Sequence, residues 1–237
     1  MKTVFHSADT RGHANHGWLN ANHSFSFASW HNPDRVHFGA LRVLNDDTIA
    51  AGMGFGKHPH DNMEIITIPM EGLLRHQDSM GTSSVIKPGE VQVMSAGTGV
   101  EHSEYNVDKE HELKLFQIWV FPRKKGVAPR YDQQAFEPAG RKNQWQQIVS
   151  PNPDDDGTWI NQDAWFHLAD IDAGKNLEYT FRKPGDGIYL LVIEGEVKVD
   201  DKTLGRRDAI GITETDSFNV SATKDAKVLL MEVPMEW

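Results

Sequence analysis

Two short motifs offer metal-ligating side chains at strand spacing: His58-Pro59-His60 and His102-Ser103-Glu104. Side chains at i and i+2 of an extended segment project from one face, roughly 6.6 Å apart along the backbone. Each motif therefore presents two donors toward one point. If the two segments face each other, three imidazoles and one carboxylate converge. That set suits one first-row divalent transition metal and contains the two-His-one-carboxylate combination of non-haem iron(II) oxygenases, with one or two positions left open. Gly52, Gly54 and Gly56 precede the first motif and Gly97 and Gly99 precede the second, so both follow backbone free to bend. Pro59 cannot donate a ladder hydrogen bond, which places His58–His60 at a sheet edge or bulge. Among 12 histidines a single His-x-His is a weak sign. The reading rests on the two motifs together.

The elements that must position these residues read as strands. Phe38–Leu44, Ile65–Pro69, Val91–Met94, Leu113–Phe121, Gly187–Glu194, Glu196–Asp200 and Ala226–Val233 are short, rich in β-branched and aromatic residues, and bounded by turn chemistry. Turns are expected at Asn45-Asp46-Asp47, Glu71-Gly72, Pro88-Gly89, Pro184–Gly187 and Asp200-Asp201. Few segments hold helical periodicity, so the chain is expected to be all-β, a sandwich or barrel. Leu113–Phe121 is apolar on both alternating faces, as in a strand covered on both sides. Strand, Glu-Gly, strand recurs at Glu71-Gly72 and Glu194-Gly195, which reads as two distant copies of one unit. Residues 123–140, with two Pro and two Gly, read as the connector between the units.

Composition removes several chemistries. The chain of 237 residues has no cysteine, so disulfides, thiol catalysis and Cys-based zinc sites are excluded. Thirty-four acids against 24 bases give a net charge of −10, which opposes direct nucleic-acid binding. The longest apolar run, Ile188–Ile193, has six residues, against the roughly 18 that a membrane helix needs. The first residues contain no apolar leader core, so a cytoplasmic chain with no membrane partner is expected.

Beyond spacing, the residues resemble a known family. Gly52-x5-His58-x-His60-x3-Glu64 and Glu71-Gly72 look like the first cupin motif. Pro88-Gly89-Glu90, Ser95-Ala96-Gly97 and His102-x3-Asn106 look like the second. Arg11-Gly12-His13, His16-Gly17-Trp18-Leu19, His23–Phe27, Phe38–Val43, His76–Ser79 and Met94–Asn106 are similar to the signature of pirin-like proteins. The resemblance implies a bicupin: two facing β-barrel (jelly-roll) domains, residues 1–131 binding metal and residues 141–237 forming a degenerate barrel without a metal site. By resemblance the metal ligands are His58, His60, His102 and Glu104, with iron(II) first and Ni, Co, Cu, Mn or Zn as alternatives. Glu64 holds the usual cupin carboxylate position and is expected in the shell behind the ligands. Aligning Gly195 with Gly72 puts Phe181 and Lys183 where His58 and His60 stand, with Val220 near the place of His102.

Bacterial pirin-like proteins are associated with quercetin 2,3-dioxygenase activity. The resemblance therefore implies a flavonol and O2 as substrates, carbon monoxide as a product, and Glu104 as the catalytic base. Other family members bind transcription factors or metabolic enzymes as redox-responsive regulators, and that role is the alternative, with a protein partner in place of turnover. His13, His16, His23, His31 and His37 follow no ligand spacing and are expected to be structural, as is the lone His167. Trp18, Phe25, Phe27 and Trp30 are expected to pack over the barrel, and Gln117 to hydrogen-bond inside it. Because one chain already pairs two barrels, a monomer is expected.

Overall fold

The computed structural model describes residues 1–237. The first half of the chain contains β1 (Lys2–His6), β2 (Gly12–Asn15), β3 (Leu19–His23), β4 (Leu41–Ile49), β5 (Gly54–His60), β6 (Glu64–Glu71), β7 (Leu74–Asp78), β8 (Ser83–Ile86), β9 (Glu90–Ser95), β10 (Val100–Asn106) and β11 (Leu113–Val120). The chain continues through β12 (Arg130–Ala135), β13 (Gln146–Ser150), β14 (Thr158–Trp159), β15 (Trp165–Ile171), β16 (Asn176–Thr180) and β17 (Asp186–Glu194). It ends with β18 (Val197–Val199), β19 (Lys202–Leu204), β20 (Ala209–Thr213), β21 (Ser217–Ala222) and β22 (Ala226–Pro234). Two 3-10 turns are the only helical pieces.

The strands form two barrels, each a seven-stranded sheet closed by a four-stranded one. The first pairs β12-β9-β6-β11-β4-β3-β2 with β5-β10-β7-β8, and the second pairs β1-β20-β17-β22-β15-β13-β14 with β16-β21-β18-β19. The seven-stranded sheets face each other. Their shared core of 24 buried residues takes Leu44, Ile66, Phe116 and Ile118 from one side and Phe166, Tyr189, Leu191 and Met231 from the other. This is the all-β bicupin the sequence resemblance implies.

Alternation explains why these strands tolerate burial on both faces. Along β11, Phe116, Ile118 and Val120 enter the inter-barrel core, while Leu113 and Leu115 enter the first barrel's own interior. The second barrel fills its interior with one cluster of 17 buried residues. The first holds only separate clusters of seven and four, because polar side chains interrupt it.

The repeated Glu-Gly hairpin is preserved in three dimensions. Gly72 and Gly195 both have φ of +82°, and a Cβ on either would meet a backbone oxygen, that of Glu112 at 2.9 Å or Asp225 at 1.9 Å. Only glycine fits either place.

The structure corrects three local expectations. Asn45-Asp46-Asp47 is no turn; these residues lie mid-strand in β4, which begins at Leu41 and not at Phe38. Lys2–His6, in which no strand was expected, pairs with β20, so the chain's first strand completes the second barrel's sheet. The connector contains a strand: Arg130–Ala135 pairs with β9.

Across the two barrels, Arg207 of the second donates from Nε to Asp46 Oδ2 of the first at 2.8 Å, and Arg11 reaches the same oxygen at 3.3 Å. The Arg207 guanidinium also bonds the Ile193 carbonyl and lies 5.0 Å from the Phe116 ring centre.

Candidate metal centre

The two motifs become neighbours because β5 and β10 pair antiparallel, with His102 directly opposite His58. In β5 Lys57 and Pro59 are exposed while His58 and His60 turn inward, half-buried. In β10 His102 and Glu104 are buried while Glu101 and Tyr105 face out. The edge position of β5 accommodates Pro59, which needs no ladder partner. Between His102 and Glu104 the register slips, so that Glu104 pairs with Phe55 instead of Gly56. That bulge puts Phe55 on the same face as the even-numbered His58 and His60, where it joins them in the cavity wall.

His58, His60 and His102 form a near-equilateral triangle, with ring centres 4.5 to 4.9 Å apart. Nε2 of His58 and Nε2 of His102 stand 3.1 Å apart. Two nitrogens about 2.1 Å from a shared cation, at a right angle, would be about 3.0 Å apart. Their outer nitrogens are already engaged. His58 Nδ1 donates to the Gly56 carbonyl at 2.7 Å. His76 Nε2 donates to Asp78 Oδ2 at 2.9 Å, and His76 Nδ1 lies 3.5 Å from His102 Nδ1. A carbonyl or carboxylate can only accept, so these partners favour ring tautomers that leave Nε2 of His58 and His102 free for a ligand.

Electrostatics fit cation binding. Burial, with His58, His60 and His76 adding repulsion, pushes His102 down to about 2. Burial and the neighbouring His58 push His60 down to about 4. Both rings are therefore neutral at pH 7, the form in which imidazole ligates.

Glu104 lines the same cavity, but its carboxylate is held from behind. Gln117 Nε2 donates to Oε2 at 2.9 Å, and Thr67 Oγ1 lies 3.4 Å from Oε1. One oxygen of Glu104 falls within 4.8 Å of nitrogens of His76 and His102, a second donor group that shares His102 with the triangle. Burial raises the Glu104 carboxyl to about 7, against the opposing hydrogen bonds from Thr67 and Gln117.

The whole cavity measures about 220 Å³, and the rest of its wall is largely aromatic or aliphatic. Leu19, Phe27, Phe55, Ile65 and Trp119 line it, with His23, Asn45 and Asp47 as further polar residues. Phe27, expected only to pack over the barrel, meets Trp119 edge-on at 5.4 Å in this wall. Phe25 lies in the inter-barrel core, and Gln117 bonds inside the barrel as expected.

Neither Glu64 nor His76 lines the cavity. Glu64 is fully buried, but it accepts from Ser95 Oγ at 2.7 Å and from Asn161 Nδ2 at 3.3 Å, and is not in the cavity wall. His76, expected only as part of a signature, stands directly behind His102. The His76-x-Asp78 spacing was visible, but its meaning depends on the pairing of β7 with β10, which sets His102 opposite Asp78.

In the second barrel the equivalent positions hold no such group. Lys183 pairs with Asp163 at 2.7 Å, Val220 is core, and His167 is buried with neither ring nitrogen bonded.

Comparison with known proteins agrees with this fold. Residues 4–120 match the Pirin family model, and residues 147–233 match the model described as the quercetinase C-terminal cupin domain. An Escherichia coli K12 protein named quercetin 2,3-dioxygenase is 40% identical over 231 residues, covering 96% of both chains. A pirin-like protein of Caulobacter vibrioides is 40% identical over 225 residues, 94% of this chain and 96% of that one. The crystal structure of the bacterial pirin YhhW of Escherichia coli in complex with nickel(II) superposes with a TM-score of 0.93 at 37% identity, covering 98% of this chain and 99% of that one.

Proposed function

This chain belongs to the pirin family, and on that premise we propose that it is a metal-dependent dioxygenase that opens the central ring of a flavonol such as quercetin with O2 and releases carbon monoxide. The observation that carries the reading is the triangle of His58, His60 and His102, two of whose Nε2 atoms stand 3.1 Å apart in the wall of a cavity that Leu19, Phe27, Phe55, Ile65 and Trp119 also line. A relative of 40% identity is named for this reaction, and a similar structure holds nickel(II).

His58, His60, His102 and Glu104 would hold one divalent transition metal. Iron(II) suits this donor set, and Ni, Co, Cu, Mn or Zn would be accepted by the same ligands. Bound there, the metal supplies Lewis acidity toward the flavonol 3-hydroxyl and redox access to O2. Glu104 takes the proton of that hydroxyl, a carboxylate ligand having a second oxygen with which to accept it. Gln117 orients the carboxylate through the 2.9 Å hydrogen bond. Phe27 and Trp119 pack the flavonol's flat rings and keep bulk water off the reacting carbons. The proton returns to the carboxylate of the ring-opened ester, so flavonol plus O2 balances acid plus carbon monoxide. The second barrel, residues 141–237 with β1 added to its sheet, supports the first without a metal of its own.

The test is quercetin consumption under air by purified, metal-loaded protein. Loss of the flavonol absorbance with one carbon monoxide released per O2 consumed supports the reading. Unchanged absorbance with stoichiometric metal retained would overturn it.

A further inference from the structure

Asp47 is the polar residue of β4 whose burial nothing in the fold offsets. On the same strand Asn45 pairs with His23 Nδ1 at 2.9 Å, and Asp46 is held by Arg11 and Arg207. The Asp47 side chain faces the barrel interior, 4% exposed, and its Oδ1 is buried without a partner. It lines the metal-centre cavity beside the apolar Leu19 and Ala21, and the indole Nε1 of Trp119, another residue of that wall, is also unpartnered. An unsatisfied buried polar group costs about 1–3 kcal/mol. A valine would suit the strand and the apolar wall better. Where its polar neighbours on β4, Asn45 and Asp46, both have structural partners, the missing partner of Asp47 is one that arrives with the ligand.

We infer that Asp47 is a specificity-determining residue, hydrogen-bonding a hydroxyl of the flavonol's pendant ring, apart from the 3-hydroxyl that Glu104 deprotonates. Burial, with Asp46 and Glu104 adding repulsion, raises its carboxyl to about 8, so at neutral pH the group donates as well as accepts. The inference rests on the flavonol reading above for the identity of the ligand. It adds that the site selects hydroxylated rings over bare ones.

The experiment is equilibrium binding under argon, followed by quenching of protein fluorescence, with metal-loaded protein. The two ligands are quercetin and galangin, the same flavonol without the two hydroxyls of the pendant ring. Wild type is expected to prefer quercetin by about tenfold, the worth of one buried hydrogen bond. Asp47→Val, chosen because valine favours strands, should reduce that ratio to within about twofold by weakening quercetin alone. Asp47→Asn keeps a donor and an acceptor and should retain most of the preference. A quercetin-to-galangin ratio equal in wild type and Asp47→Val, or no preference in wild type, would overturn the inference. Binding with the expected ratios but no consumption under air would sink the dioxygenase reading and leave the Asp47 assignment standing. Turnover with an unchanged ratio would do the reverse, and failure to bind either flavonol would remove both.

Discussion

His58 and His102 approach each other nitrogen to nitrogen, 3.1 Å between their Nε2 atoms, with His58 Nδ1 already committed to the Gly56 carbonyl. Facing lone pairs repel unless a cation or proton lies between them, and burial keeps His102 deprotonated. The strand pairing therefore stores a cost that a cation relieves.

A divalent metal should accordingly raise the melting temperature. At a hundredfold excess over its dissociation constant the gain is about 2.7 kcal/mol, or roughly 5–11 °C for a chain of this size. His60→Ala should abolish the shift and leave the protein melting like chelated wild type. Lys183→Ala, in the second barrel, should keep both the shift and the bound metal. Differential scanning calorimetry with and without metal reads all three.

Gln117→Leu removes the donor that fixes Glu104. Outer partners of metal ligands typically contribute 10–100-fold to affinity, so titration against a metal-sensitive dye should show a loss in that range. An unchanged affinity would mean that Glu104 is not a ligand, or that Gln117 does not orient it.

Arg207→Ala unclasps the barrels. The Arg207 side chain is 7% exposed and that of Asp46 17%, so removing one partner strands a mostly buried charge, leaving only Arg11 at 3.3 Å to face it. A loss of about 3 kcal/mol is expected, read as a lower urea midpoint. Metal stoichiometry should stay at one, because neither residue faces the cavity.

Asp186→Asn tests the pH dependence of the second barrel. Burial, with Glu232 beside it, raises the Asp186 carboxyl from an ordinary 3.8 to about 7, while Lys183 opposes the shift. A carboxyl raised in the folded state contributes stability below about pH 4, and that contribution is lost as pH climbs toward 7. The variant should therefore melt with wild type at pH 4 and above it at pH 8. The difference is on the order of 1–2 kcal/mol, since solvent screens part of the effect. Equal melting at both values would contradict the assignment.

Much of the site was legible because a strand's period of two is visible in sequence. His58-x-His60 and His102-x-Glu104 announced a shared face, and Pro59 announced an edge. What escaped notice depended on distant partners. Asn45-Asp46-Asp47 has the composition of a turn, and only His23, Arg11 and Arg207, from elsewhere in the chain, make it tolerable inside β4. β1 escaped because its burial shows no clear alternation, its place being set by pairing with β20. The hydrogen bond from Asn161 to Glu64, across 97 residues, likewise has no mark in the local sequence.

Anomalous diffraction from crystals of the metal-loaded protein, recorded at the metal's absorption edge, tests the central claim most directly. The account predicts one peak per chain, within about 2.2 Å of a nitrogen of each of His58, His60 and His102 and of one Glu104 oxygen. A peak held instead by His76, a peak in the second barrel, or a cavity that stays empty at saturating metal would contradict it.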